Sequence, residues 1–359
     1  VHRIIAHAPG RVELLGNHTD YNQGVVLSAA IDRGVTVQGA ALKEPRIELR
    51  SLTLEKKVEV PLEDFGKQAE SWANYPLGVV HVLAQRGYKL GGFTMEAASD
   101  VPMGAGLSSS AAFEVATATF LRKLFRLEIE PMQIARLCRQ AENEFVGVGC
   151  GLLDQVSSVF GKSDSAIFLD CRDETVELVP FPAGLALLVT GTEVPHALHG
   201  SEYNERRECC FSAAKKLGVP ALRDVTSGEL DQRRGELSDA EYRRAAHIVG
   251  EIERVNQGVE FLRTSNAHGF GELMFASHES SRTNFENSTP QLDALVAIAR
   301  AEEGVYGSRL TGGGFGGATV SLIEAGEAER IAKNFTVRYR EQTGIECRTS
   351  VCVIDDGAR

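Results

Sequence analysis

Pro102-Met-Gly-Ala-Gly-Leu-Ser-Ser-Ser-Ala-Ala112 sets two glycines one residue apart, Gly104 and Gly106, ahead of three serines. An apolar-periodic run follows through Phe113, Val115, Ala116, Phe120, Leu121 and Leu124, and this predicts a helix entered by a glycine-rich turn. Glycine lets backbone bend and approach a ligand closely. The first helical turn offers unpaired N–H donors at the positive end of the dipole, which suits phosphate. Serine hydroxyls there cap the helix or ligate a metal that arrives with the phosphate. Taken alone, Gly-x-Gly fits an ordinary capped turn equally well. The stretch is not a Walker A loop, since no Gly-Lys-Ser/Thr ends it, nor a dinucleotide fingerprint, since Ser109 stands three residues after Gly106.

Outward from it, extended patterns are expected at 3–8, 25–31, 35–41, 46–52 and 57–60, then a helix over 73–86 and a strand over 92–98 that delivers the chain to the loop. Helices are predicted over 131–145 and 152–160, and strands over 166–169, 176–179 and 185–190. Pro180–Gly184, with two prolines and a glycine, is the candidate hinge. Helical patterns at 202–217, 239–256, 267–277 and 291–302 precede strands at 307–310, 318–322 and 347–354. Strands then helices with little strict alternation indicate an α+β fold. The chain of 359 residues, 43% hydrophobic, has length for two domains, taken as 1–182 and 183–359.

The net charge of -11 argues against a nucleic-acid or membrane-surface partner, though not against a phosphorylated small molecule held locally. Seven scattered cysteines without zinc spacing, and a start without a long apolar core, lead to the expectation of a cytoplasmic protein.

Three further clusters carry chemistry. In Gly10-Arg-Val-Glu-Leu-Leu-Gly-Asn-His-Thr-Asp-Tyr-Asn-Gln-Gly24, Arg11 is a forked cation, while Asn17, His18, Thr19, Asp20 and Tyr21 offer dense hydrogen bonding for a polyhydroxylated ligand. Ala141-Glu-Asn-Glu-Phe-Val-Gly-Val-Gly-Cys-Gly-Leu-Leu-Asp154 carries Glu142 and Asp154 around a glycine turn, where Asp154 also suits the helix dipole. Arg309-Leu-Thr-Gly-Gly-Gly-Phe-Gly-Gly-Ala-Thr-Val320 has five glycines in six positions, more than a plain hairpin needs, which implies close backbone approach.

Gly10–Asp20 with Tyr21-Asn22, then Pro102–Ala112, then Leu310–Ala318, in that order along the chain, resemble the three motifs of the galactokinase family of the GHMP small-molecule kinase superfamily. Further matches are Trp72-Ala-Asn-Tyr75, Cys150-Gly-Leu-Leu-Asp-Gln155, Ser201-Glu-Tyr-Asn-Glu-Arg-Arg207, His247-Ile-Val-Gly-Glu251, Leu273–His278 and Val305-Tyr-Gly-Ser-Arg309. The resemblance implies an N-terminal domain like the second domain of ribosomal protein S5, a ferredoxin-like C-terminal domain and a site between them. It also implies phosphorylation of a sugar's anomeric hydroxyl with ATP and Mg²⁺. By position it makes Asp154 the catalytic aspartate with Arg11 beside it, and Gly104, Ala105, Gly106, Leu107, Ser108, Ser109 and Ser110 the ATP loop. Ser110 and Glu142 fall at the magnesium positions. Asn17, His18, Thr19, Asp20, Gly151 and Tyr203 become sugar contacts, with Gly312, Gly313 and Gly314 a supporting loop. Whether Asp154 acts as base or only orients the hydroxyl stays open. Asn17 departs from the family's usual glutamate, and Thr283-Asn284 from a commoner acidic pair. The first departure keeps N-acetylgalactosamine, a uronic acid or a pentose open as alternatives to galactose. A silent sugar/ATP sensor is disfavoured by the intact serines and Asp154, and a mevalonate or homoserine kinase by His18–Asn22. A monomer is expected.

Overall fold

The computed structural model describes residues 3–102, 106–194 and 200–359. Strand β1 (Ile4–Leu15) runs antiparallel to β2 (Val25–Ala41), with the polar loop 16–24 between them. Both strands are longer than the residue pattern predicts. The two runs expected over 25–31 and 35–41 form one strand because Gly34 lets β2 lie close on β1. A Cβ there would stand 2.4 Å from the Ala8 carbonyl oxygen. β3 (Arg46–Ser51), β4 (Lys56–Pro61), helix α1 (Asn74–Gln85), β5 (Phe93–Ser99) and helix α2 (Ser109–Phe125) follow. Then come α3 (Pro131–Gln140), α4 (Leu153–Phe160), β6 (Ser165–Asp170) and β7 (Thr175–Pro180). The sheet order is β4-β3-β5-β2-β6-β7 with β1 also on β2, and among the described residues only β3 and β5 pair in parallel.

α3 starts as its sequence dictates, on a capping box of Glu130 and Gln133 with Pro131 in the first turn. α2 is rich in alanine on its buried side, so it lies close against the sheet. Val37, Leu49, Leu77, Val80, Phe93, Val115 and Phe120 make the core between the sheet and α1, α2 and α3.

The second half contains β8 (Leu185–Gly191), α5 (Gly200–Lys216), α6 (Ser227–Gln232), α7 (Asp239–Arg263), α8 (Ala267–Ser280) and α9 (Pro290–Arg300). β9 (Val305–Thr311), β10 (Ala318–Glu324), α10 (Ala328–Thr343) and β11 (Arg348–Cys352) complete it. The antiparallel order is β11-β8-β10-β9. β8 is buried on both faces. Leu187 and Val189 join Val12, Leu14 and Leu27 of the first sheet in one core, while Ala186 and Leu188 face Phe335 and Tyr339 of α10. The α+β reading holds. The chain passes from sheet to sheet through 181–184, and we propose 182/183 as the boundary between an N-terminal and a C-terminal domain. The last residues nevertheless return to the first half, where Arg359 exchanges both backbone hydrogen bonds with His7.

Candidate active site

Arg11 leaves β1 with its side chain 7% exposed. Its Nε donates to Asp154 Oδ1 at 2.7 Å and its Nη1 to the Gly106 carbonyl at 2.7 Å. Asp154, in the first turn of α4, accepts from the Ser108 hydroxyl on Oδ2 at 2.5 Å. Three segments distant in sequence thus meet on one carboxylate. Ser108 precedes α2 with φ of 54°. Gly10 allows the approach, because a Cβ on it would lie 2.6 Å from the Leu107 carbonyl oxygen, and that carbonyl accepts from Arg11 N–H at 3.1 Å. Leu107 itself is buried, and Ser109 is exposed at the helix start. Gly104 and Ala105 lie outside the described residues.

Ser110 hydrogen-bonds the Glu142 carboxylate. Glu142 Oε2 also accepts from Gln155 Nε2 at 2.8 Å and from the Cys150 thiol at 3.2 Å. Burial, then the charge of Asp154, pushes the Glu142 carboxyl above its ordinary range. Among the described residues no three His, Cys, Asp or Glu side chains gather as a metal cage. One hydroxyl and one carboxylate are instead the hard-oxygen donor set suited to Mg²⁺ that keeps phosphate ligands of its own.

Beside this centre is a cavity of about 210 Å³ whose walls include Arg11, Glu13, Asn17, His18, Asp20, Gly151, Asp154, Tyr203, Gly312 and Gly313. The polar loop 16–24 and the glycine-rich hairpin between β9 and β10 therefore converge on it. Burial, then the nearby carboxylates of Glu13 and Asp154, pushes the Asp20 carboxyl up to about 6, against the Tyr21 backbone N–H. Gly151 is required here, since a Cβ would stand 1.9 Å from Asp20 Oδ2. His18 has φ of 62° and is 5% exposed. Its Nε2–H donates to Gly313 O at 3.0 Å, leaving Nδ1 to accept from the Tyr21 hydroxyl at 2.9 Å. Burial lowers its pKa to about 4, so the ring is neutral near pH 7. Tyr203 and Phe285 pack on it, with centroids at 5.1 and 4.5 Å.

Two of the predicted contacts also carry hydrogen bonds within the protein. Thr19 is fully buried, and its hydroxyl hydrogen is shared between Gly16 O and Val25 O at 2.8 and 2.7 Å. It shapes the loop without lining the cavity. Asn17 donates to Glu13 Oε1 at 3.1 Å and to Gly312 O at 2.8 Å, which uses both amide hydrogens. Its oxygen accepts from Asn287 Nδ2 at 2.9 Å. Gly314 takes φ of 81° against Asn287, whose carbonyl oxygen would lie 2.3 Å from a Cβ.

Several participants stood in the sequence only as matches to the family, with no role assigned to them. Glu251 of α7, fully buried, accepts the N–H groups of Gly16 and Asn17 on Oε2, both at 3.0 Å. Arg254 holds its other oxygen at 2.5 Å. Burial pushes the Glu251 carboxyl up, but Arg254, His247 and Arg309 together hold it well below the carboxylate range. Against Ser109 and Ser110 lies a second cavity of about 270 Å³, walled by apolar groups including Trp72, Tyr75, Val101 and Phe113. Trp72 stacks on Phe113 with rings 13° from parallel.

A serine-rich turn at the start of α2, a carboxylate shared with a buried arginine, and a glycine hairpin from the second sheet together define a kinase of the GHMP class. Family models for the GHMP kinase N-terminal and C-terminal domains match residues 74–162 and 259–340, and a galactokinase galactose-binding signature matches 1–41. The chain belongs to the galactokinase family. It is 41% identical to a galactokinase of Roseiflexus sp. (strain RS-1), over 99% of this chain and 92% of that one. It is 42% identical to a galactokinase of Homo sapiens, over 94% and 88%. The solved galactokinase of Lactococcus lactis, complexed with galactose, superposes with a TM-score of 0.94 at 31% identity, covering 100% of this chain and 95% of that one. A mevalonate kinase of Methanococcus jannaschii shares the fold, with a TM-score of 0.71 at 20% identity over 99% of each chain.

Proposed function

We propose that this chain transfers the γ-phosphoryl group of ATP to the anomeric hydroxyl of galactose, releasing ADP and galactose 1-phosphate. One juxtaposition carries the reading: Arg11 donates at once to Asp154 and to the Gly106 carbonyl of the serine loop. Phosphoryl transfer asks for positioning and charge stabilisation more than for covalent help. In this reading the anomeric hydroxyl lies against Asp154, which takes or orients its proton. Arg11 fixes that carboxylate and steadies charge as the phosphoryl group moves. The triphosphate lies along Gly106–Ser110 and meets the N–H groups at the start of α2; the resemblance alone adds Gly104 and Ala105 to the ATP-binding residues. Ser110 and Glu142 hold Mg²⁺, which neutralises phosphate charge. The adenine occupies the apolar cavity of Trp72 and Phe113.

Asp20, Gly151, Tyr203 and the ring of His18 surround the sugar, with Asn17 supplying its remaining carbonyl lone pair and Gly312–Gly314 closing the wall. The amide at Asn17 supports a second reading, in which the preferred sugar is N-acetylgalactosamine, a uronic acid or a pentose. Seven free thiols suit a reducing cytoplasm, and no described helix is long and apolar enough to cross a membrane.

A coupled ADP-release assay with ATP, Mg²⁺ and a sugar panel tests both readings. Galactose is expected to show the highest kcat/KM. Asp154→Asn should cut kcat by about 10²–10⁴-fold with the ATP KM nearly unchanged. Absence of turnover with every sugar sinks the kinase reading, and a different best sugar selects the second.

A further inference from the structure

We infer that Glu13 is a specificity-determining residue of the sugar cavity, its carboxylate accepting the hydroxyls on the side of the ring away from the reacting carbon, with Asn17 and Arg309 as its positioning residues. The inference rests on the proposed sugar-kinase reading of this cavity. Glu13 is 6% exposed and lines the cavity. Both of its side-chain contacts fall on Oε1: Arg309 Nη1 donates at 3.0 Å and Asn17 Nδ2 at 3.1 Å. Oε2 accepts no hydrogen bond among the described residues, yet it is not among the sealed, unpaired atoms of the interior. A buried carboxylate with one oxygen fixed and the other open is built to receive a donor.

A purely structural ion pair between β1 and β9 would look different. Buried Arg–carboxylate pairs are favoured when the guanidinium fork engages both oxygens. Here Arg309, wholly buried, meets Glu13 through Nη1 alone, which also donates to the Glu13 carbonyl at 3.2 Å, while its Nε and Nη2 find no partner among the described residues. The arginine grips one oxygen from the side, and the other stays clear.

Strand geometry says which part of the ligand Glu13 meets. Arg11 and Glu13 pair in regular register with Ala30 and Ser28, so they share one face of β1. Two residues of strand separate them by roughly 7 Å, about the width of a hexopyranose ring. With the anomeric hydroxyl at the Arg11–Asp154 pair, Glu13 stands at the opposite edge. Of its neighbours, Asn17 has spent both amide hydrogens, and His18 has engaged both ring nitrogens.

The test compares galactose with its 2-, 3-, 4- and 6-deoxy analogues on the wild type, Glu13→Gln and Glu13→Asp. For Glu13→Gln the galactose KM should rise about 10–100-fold, the scale of a hydrogen bond to a charged group, with the ATP KM little changed. The wild type should penalise loss of one distal hydroxyl by about tenfold or more, and Glu13→Gln should largely erase that penalty. Should Glu13→Gln not fold, Glu13→Asp keeps the charge and the Arg309 pairing but draws the carboxylate back, and it should show the same loss of discrimination. Folded variants with wild-type galactose KM and an unchanged deoxy-sugar profile overturn the inference alone. A wild type inactive on every sugar overturns the kinase reading, and this inference with it.

Discussion

Gly151 and Asp20 stand so close that their roles can be separated only by changing one at a time. In Gly151→Ala the added methyl would sit 1.9 Å from Asp20 Oδ2, which forces the carboxylate off its place in the cavity. The sugar KM should rise by at least tenfold while the ATP KM stays within a few-fold, since overpacking displaces neighbours at a cost of about 1–3 kcal/mol. Initial-rate kinetics with each substrate varied decide it, and equal rises in both KM values would count against a sugar-side effect. Asp20 itself titrates where it can be observed. Its carboxyl is raised to about 6 by burial, then by Glu13 and Asp154. The free enzyme's kcat/KM for sugar should therefore fall below about pH 6 as the acceptor is protonated, a limb that Asp20→Asn should remove. The stability effect has the opposite sign. Folded Asp20 binds its proton more tightly than the unfolded chain, so its contribution to stability grows as pH falls from about 6 toward the ordinary carboxylate value. Arg11, Asp20 and Asp154 were legible in the sequence because each stands in or beside a glycine-rich or Asx-rich loop, where a charge has no packing reason to be. Glu13 was not: an acid alternating with Val12 and Leu14 reads as the solvent face of a strand, and only its burial beneath the second sheet changes that.

Helix α7 reaches across to the polar loop 16–24 with Glu251, and that one side chain fixes the backbone at Gly16 and Asn17. Glu251→Ala would leave two buried N–H groups without an acceptor and Arg254 without its partner. The expected cost is about 3–5 kcal/mol, read as a lower urea midpoint. In whatever fraction stays folded, the sugar KM should rise more than the ATP KM. Unchanged stability would mean that the clamp holds nothing. At this scale the sequence was uneven. Helices with a clear apolar stripe or a proline start, such as α3 and α9, stood within a few residues of their expected bounds, though the first runs on through a separate wide turn at 141–146. No element was expected over 328–343, yet α10 lies there. Its sixteen residues carry only a thin apolar line, Ile331, Phe335 and Tyr339, among charges. That line becomes decisive only once Ala186, Leu188 and Ile323 are there to receive it. Likewise the interruption read at residues 32–34 vanished because a close strand pairing, invisible locally, needs the glycine there.

Across the whole molecule the two sheets share one core: Val12, Leu14 and Leu27 pack with Leu187, Val189 and Val320, and with Val255 and Phe270 from the helices between. The C-terminal residues add backbone hydrogen bonds from Arg359 to His7, from Gly357 to Gly161 and from Ala358 to Ser158. A chain stitched this way should lose both halves together even though its length would permit two separate transitions. The chain contains a single tryptophan, Trp72, and it sits in the first half, buried against Phe113. Its fluorescence therefore reports that half, while far-UV circular dichroism reports the entire chain. Leu188→Ala opens a cavity in the distant face of the second sheet, among Ile323, Phe335 and Tyr339, at a cost of about 2–5 kcal/mol. Denaturant unfolding followed by both probes should show one midpoint, lowered equally in the variant. Were the Trp72 signal to keep its wild-type midpoint while the dichroism split into two steps, the common core would not couple the halves. The cavity between them would then be a hinged cleft whose geometry the ligands impose.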